Sequence, residues 1–177
     1  MDNTAPQPTS LSDAEKALSS SFSEPTDPNF WETFREFCVV SMQSREIPAT
    51  ERLRFAKAAL GVVFRQRQSQ SFGPTRSAAD EARIRAYAIS EFGAEANDPV
   101  RDPKTAANVV LSALGEDIRE IDELCERWQG SGIETIRRLR RVKNLVKPLE
   151  LVIPHLATGS RERVDAEKWF SLWSRLP

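Results

Sequence analysis

Apolar residues recur at helical spacing along most of the chain. Trp31, Phe34, Cys38 and Met42 stand three and four apart, with Phe30 and Phe37 widening the same face, as one side of a helix requires. Asp27-Pro28 supplies a start signal, because Asp caps free N–H groups and Pro tolerates the first turn. Pro48 closes that helix. A second is expected from about 50 to 70, with Leu53, Ala56, Leu60 and Val63 inward beside Phe55, Val62 and Phe64, ended by a Phe72-Gly73-Pro74 turn. Ser77 and Asp80 have the spacing of a capping box for a third, built on Ile84, Tyr87, Ala88 and Phe92.

Asp102-Pro103 repeats the start signal. From there Ala107, Leu111, Leu114, Ile118, Ile121, Cys125 and Trp128 alternate four and three apart, a heptad-like seam. Gly130-Ser131-Gly132 marks a tight turn, and Ser131 with Glu134 is read as the cap of the next helix. Leu139, Val142, Val146, Leu149 and Ile153 continue the alternation there. Pro148 should kink or break that helix and Pro154 should stop it. A last helix is expected near Asp165, packing Trp169, Leu172, Trp173 and Leu176. No segment alternates as a half-buried strand does.

The expectation is therefore an all-α bundle of about six helices, with an antiparallel helical hairpin over about 103–153. Residues 28–177 read as a single all-helical domain, divisible into lobes 28–98 and 103–177 with a hinge near 97–102. Residues 1–27, rich in Ser, Thr, Pro, Asn and Asp, read as a disordered tail with one turn near 12–19. No basic stretch followed by an apolar run marks a secretory signal. No run approaches the roughly 18 apolar residues of a spanning helix. Both points lead to an intracellular, cytoplasmic expectation.

Charge sharpens this picture. The formal net charge is −1, which weakens a wholesale nucleic-acid or anionic-membrane role. The near-zero total conceals blocks: residues 77–130 hold twelve acids and six bases, residues 131–177 five acids and ten bases. The basic block centres on Arg137-Arg138-Leu139-Arg140-Arg141-Val142-Lys143. At about 100° per residue, Ile136, Leu139, Val142, Leu145, Val146 and Leu149 fill one half of a helix. Arg137, Arg140, Arg141, Asn144 and Lys147 fill the other.

Such a face has three uses. It can grip phosphates, making the basic helix 137–147 a nucleic-acid surface. It can serve a membrane surface or a calmodulin-type receptor through Leu139, Val146 and Val152, a use that ranks low. Or it can pair inside the molecule. In an antiparallel hairpin, Glu123 and Glu126 fall near Arg137 and Arg138, Glu120 near Arg141 and Glu116 near Lys147. Each such pair is worth about 0–1 kcal/mol, enough to choose a register but not to hold a fold.

Catalytic chemistry has little support. The two cysteines, Cys38 and Cys125, fall on apolar helix faces, and the one histidine, His155, lies between Pro154 and Leu156. A Cys-dependent enzyme would need folding to unite these groups. Seven glycines form no phosphate-binding loop, and one histidine supplies no standard zinc set. No cofactor and no metal are called for. The basic amphipathic helix followed by Lys147-Pro148-Leu149-Glu150 resembles helical regions that precede NTPase domains in some fungal immune-type receptors, and no function is carried over from that likeness.

The sequence thus leads to a non-enzymatic helical interaction or regulatory module that binds another protein or itself. Arg137, Arg140, Arg141 and Lys147 would provide electrostatic recognition and Trp169 and Trp173 apolar anchoring. A nucleic-acid-binding regulatory protein is the alternative.

Overall fold

The computed structural model describes residues 6–19, 27–68 and 74–177. Residues 72 and 73 of the expected turn and the ends of the tail, 1–5 and 20–26, lie outside the described residues. Among the described residues every regular element is helical, and the all-α expectation holds.

The chain divides into two compact units, residues 1–73 and 74–177. The expected lobe boundary at 97–102 is thus displaced to the segment before Pro74, and the helix that follows belongs with the C-terminal helices.

In the first unit, α1 (Leu11–Leu18) forms where the tail was read as disordered. Ser10 caps it by accepting from the Asp13 N–H, and Ala14 and Ala17 are buried. The helix lies on α3 (Ala49–Gln68), where Gly61 admits the Leu18 side chain: a Cβ there would stand 3.1 Å from Leu18 Cδ1. Arg54 holds Glu15 through Nε and Nη2 at 2.9 and 2.7 Å. The tail was misread because its buried side chains are alanines, whose small apolar surface leaves a faint periodic signal. Between α1 and α3 in sequence lies α2 (Phe30–Gln43), which packs on α3. Asp27 accepts from the Asn29 N–H at 2.8 Å, so its carboxylate closes a turn just ahead of α2 instead of capping it.

The second unit opens with α4 (Pro74–Phe92). This helix starts at the proline, the residue best suited to a first helical position, and Ser77 lies inside it, not at its cap. Asp102 caps α5 (Pro103–Leu114) as expected, accepting from the Lys104 and Thr105 N–H groups. The predicted long helix then breaks. Gly115 takes the left-handed conformation (φ 56°, ψ 18°), and Asp117 restarts the chain as α6 (Ile118–Arg127) by accepting from the Arg119 N–H at 2.8 Å.

A turn leads to α7 (Ile133–Val146), with Gly132 at its N-cap. Ser131 donates to the Arg127 carbonyl at 2.9 Å, finishing α6 and leaving α7 without a side-chain cap. Pro148 interrupts as expected, and α8 (Leu149–Val152) follows, with a 3₁₀ turn through Pro154. The last helix, α9 (Arg161–Ser171), begins four residues before Asp165 because Ser160 caps it, accepting from the Arg163 N–H. Its core joins Ala82, Ala86 and Ile89 of α4 to Ala107, Val110, Ile121, Leu139, Val142, Leu145, Leu149, Trp169 and Leu176.

Candidate functional site

The inward face of α7 accounts for its place in the bundle. Leu139, Val142, Leu145 and Val146 are buried, and Leu149 and Val152 of α8 continue the same apolar line. Leu139, Val146 and Val152, the anchors a membrane or calmodulin-type receptor would use, are therefore core residues. What α7 and α8 offer outward is the opposite face.

One flank of that face is neutralised internally. Glu116, in the break between α5 and α6, accepts from Arg138 Nη2 at 2.6 Å and Nε at 3.1 Å with one oxygen. Its other oxygen takes Arg141 Nη2. Arg138 Nη1 also donates to Glu120 at 2.7 Å. The hydrogen bond from Arg138 holds the carboxyls of Glu116 and Glu120 below the ordinary range and in turn pushes the Arg138 guanidinium up. Glu116, Arg138 and Arg141, with Glu134, Thr135 and Arg137, line an open groove of about 550 Å³.

Internal pairing therefore exists, but in a different register from the one expected. Glu116 meets Arg138 and Arg141 instead of Lys147, and Glu120 meets Arg138 instead of Arg141. Glu123 pairs along its own helix with Arg127, and Glu126 faces Arg175 at 3.7 Å. The cause is the break at Gly115, which takes Glu116 off the helix to which the expected register assigned it.

The other flank remains free. Arg140 and Lys147 are exposed and make no ion pair among the described residues. Arg137 pairs with Glu134 at 2.8 Å, with both side chains largely in water. Two exposed apolar residues stand in line with them: Ile133, 65% exposed, and Leu151, 41% exposed. Within α7, Ile133, Arg137, Arg140 and Asn144 are spaced four, three and four, so ideal helical geometry sets them within about 40° of one line. Lys147 and Pro148 keep right-handed helical dihedrals through the interruption, which carries the spacing of three and four on to Lys147 and Leu151. The signal was legible as spacing; sequence reasoning missed Ile133 and Leu151 because an apolar residue is assigned to the core by default.

The tryptophans stand elsewhere. Trp169 is buried in the core. Trp173 is half-buried, stacks on Phe170 with centroids 6.2 Å apart, and carries the Lys143 ammonium 5.2 Å from its ring centre. Lys143 also donates to the Leu176 carbonyl at 2.7 Å, so this edge of α7 is occupied by the chain's own C-terminal segment.

Among the described residues no group of three or more His, Cys, Asp and Glu side chains is arranged to hold a metal ion. Burial pushes the Cys38 thiol up to about 12 and raises that of Cys125, while His155 is exposed in its 3₁₀ turn. No helix among the described residues is long and apolar enough to cross a membrane. Compared with protein-family models, with curated proteins and with solved structures, the chain matches none of them.

Proposed function

We propose that this chain is a non-enzymatic helical interaction module that binds another protein along the outer face of α7 and α8. The observation that carries the reading is the pair Arg140 and Lys147. Both are exposed and have no carboxylate partner among the described residues, while the neighbouring Arg138 and Arg141 have theirs. An interaction surface needs charge that the fold has not already neutralised, and this flank keeps it. The nucleic-acid reading loses support for the same reason, since two of its arginines are held by glutamates. The thiol-enzyme reading loses support because both thiols are buried and pushed away from the reactive thiolate.

The test is a photo-crosslinking residue at Asn144, incorporated in the full chain and exposed to nuclease-treated native host lysate. The expected result is a crosslinked protein that disappears when Arg140 and Lys147 are both reversed to glutamate. Absence of any nuclease-resistant adduct overturns the proposal.

A further inference from the structure

Resting on that reading, we infer that the partner presents an acidic amphipathic helix, laid along the line from Ile133 to Leu151 with carboxylates in the middle and an apolar side chain near each end. The line spans 18 residue steps, about 27 Å at 1.5 Å per residue. Its order is apolar, cationic, cationic, amide, cationic, apolar. The four–three spacing is the one along which a second helix keeps contact over several turns. Arg140 and Lys147, with Arg137 shared with its own Glu134, offer the charge for the partner's acids. Ile133 and Leu151, 65% and 41% exposed, offer apolar area that only a partner with apolar ends covers. Asn144 stands centrally, where one polar side chain sets register at a cost in affinity.

Other ligands fit the same surface less well. A helix lying in a lipid surface sinks a continuous apolar face and keeps its cations at the edges; here the cations occupy the centre of the line and the broad apolar face of α7 is inside the bundle. Phosphates would gain nothing from Ile133 or Leu151, and three cations give only a shallow counterion effect. Two copies joined through this line would set cation against cation. The acids of α6 are an unsuitable substitute in a second copy, since Glu120 and Glu126 already face Arg138 and Arg175 and Glu123 faces Arg127.

The probe is a synthetic helical peptide of about 20 residues, with leucine at both ends of one heptad face and glutamate at the face positions between. Its binding to the full chain is followed by fluorescence anisotropy, beside a peptide of equal composition with the face scrambled, vesicles containing phosphatidylserine, and a single-stranded oligonucleotide. The face peptide is expected to bind at least about tenfold tighter than the scrambled one. Ile133→Ser with Leu151→Ser should weaken it about tenfold, and Arg140→Glu with Lys147→Glu should abolish it, both without a change in melting temperature.

Equal binding of the two peptides, indifference to the serine pair, or preference for vesicles or oligonucleotide overturns the inference. So does dimerisation of the chain that the glutamate pair removes. Should the Asn144 crosslink still capture a protein, the interaction reading survives and only the partner's chemistry is wrong. Should it capture none, the broader reading fails on its own evidence.

Discussion

Arg138 Nη2 lies 2.6 Å from Glu116 Oε2, and the carboxylate side chain is 9% exposed. Among the described residues, Glu116 is the least exposed acid that the arginines of α7 engage, and it joins the break after α5 to the middle of α7. It divides the basic block into cations used by the fold and cations left outside. That division separates arginines that are neighbours in sequence, Arg140 from Arg141, and about 100° apart around the helix.

The pair should be visible in the pH dependence of stability. Glu116 has its carboxyl held below the ordinary value of 4.5 by the Arg138 hydrogen bond. A depressed carboxyl contributes stability that is fully present above the unfolded value and is lost as pH falls through the folded value. Glu116→Gln should therefore cost about 1–2 kcal/mol at neutral pH, between the worth of an exposed and a buried pair. The gap between wild type and variant should close below pH 4.5. Urea melts at pH 7 and at pH 3 measure this; a gap that widens on acidification contradicts it.

Charge reversals should sort by flank. Arg138→Glu places like charge beside Glu116 and Glu120 and should cost about 2 kcal/mol or more. Arg141→Glu, at a half-exposed partner of the same Glu116, should cost about 1 kcal/mol. Arg140→Glu with Lys147→Glu should stay within about 0.5 kcal/mol of wild type. Thermal melts of the three variants rank them, and a destabilised Arg140/Lys147 variant would place those cations in the fold after all.

How much of this was legible in the sequence follows from what each signal reports. The 3.6-residue period reports burial, so the inward faces of α2, α3 (Phe64 excepted) and α7 were readable, as was the interruption at Pro148. Pro48 was not the stop it was expected to be: α2 ends at Gln43, and the Pro48 carbonyl accepts from the first turn of α3. Asp102 was readable as a cap before Pro103, but the same signal at Asp27-Pro28 misled, because that carboxylate closes a turn ahead of α2. Gly115 was not readable: its left-handed φ is invisible to a count of apolar spacing, and the seam ran through it unbroken. Missing that break moved Glu116 by a register and with it the whole expected pairing. The outward cations were legible as a face, but which of them remain free depends on acids that only folding brings near.

The thiols should be silent in the native state. Cys38 is fully buried and Cys125 nearly so, and desolvation raises both. At pH 8, alkylation followed by mass spectrometry should leave both unmodified over minutes and label both in urea. Of the two, Cys125 should react first as unfolding begins, since it is the less buried, 7% against 0% exposed. Rapid native labelling of Cys38 would return a thiol chemistry to consideration.

The break between α5 and α6 offers the sharpest test of how the site is built. Gly115 at φ 56° is a position where a Cβ meets nothing within 4 Å, so Gly115→Ala should cost only backbone strain, about 1–2 kcal/mol. Asp117→Ala removes the acceptor for the Arg119 N–H and should cost about 1 kcal/mol, the usual worth of an N-cap. Together the two substitutions erase both the stop and the start, and the four–three seam from Ala107 to Trp128 would then favour one continuous helix. Glu116 would leave Arg138. Glu116→Gln, costly in the wild-type background, should then cost nothing in the Gly115→Ala/Asp117→Ala background. A double-mutant cycle read by urea melts measures the difference. A cost that survives in that background would mean the carboxylate keeps its arginines without the break.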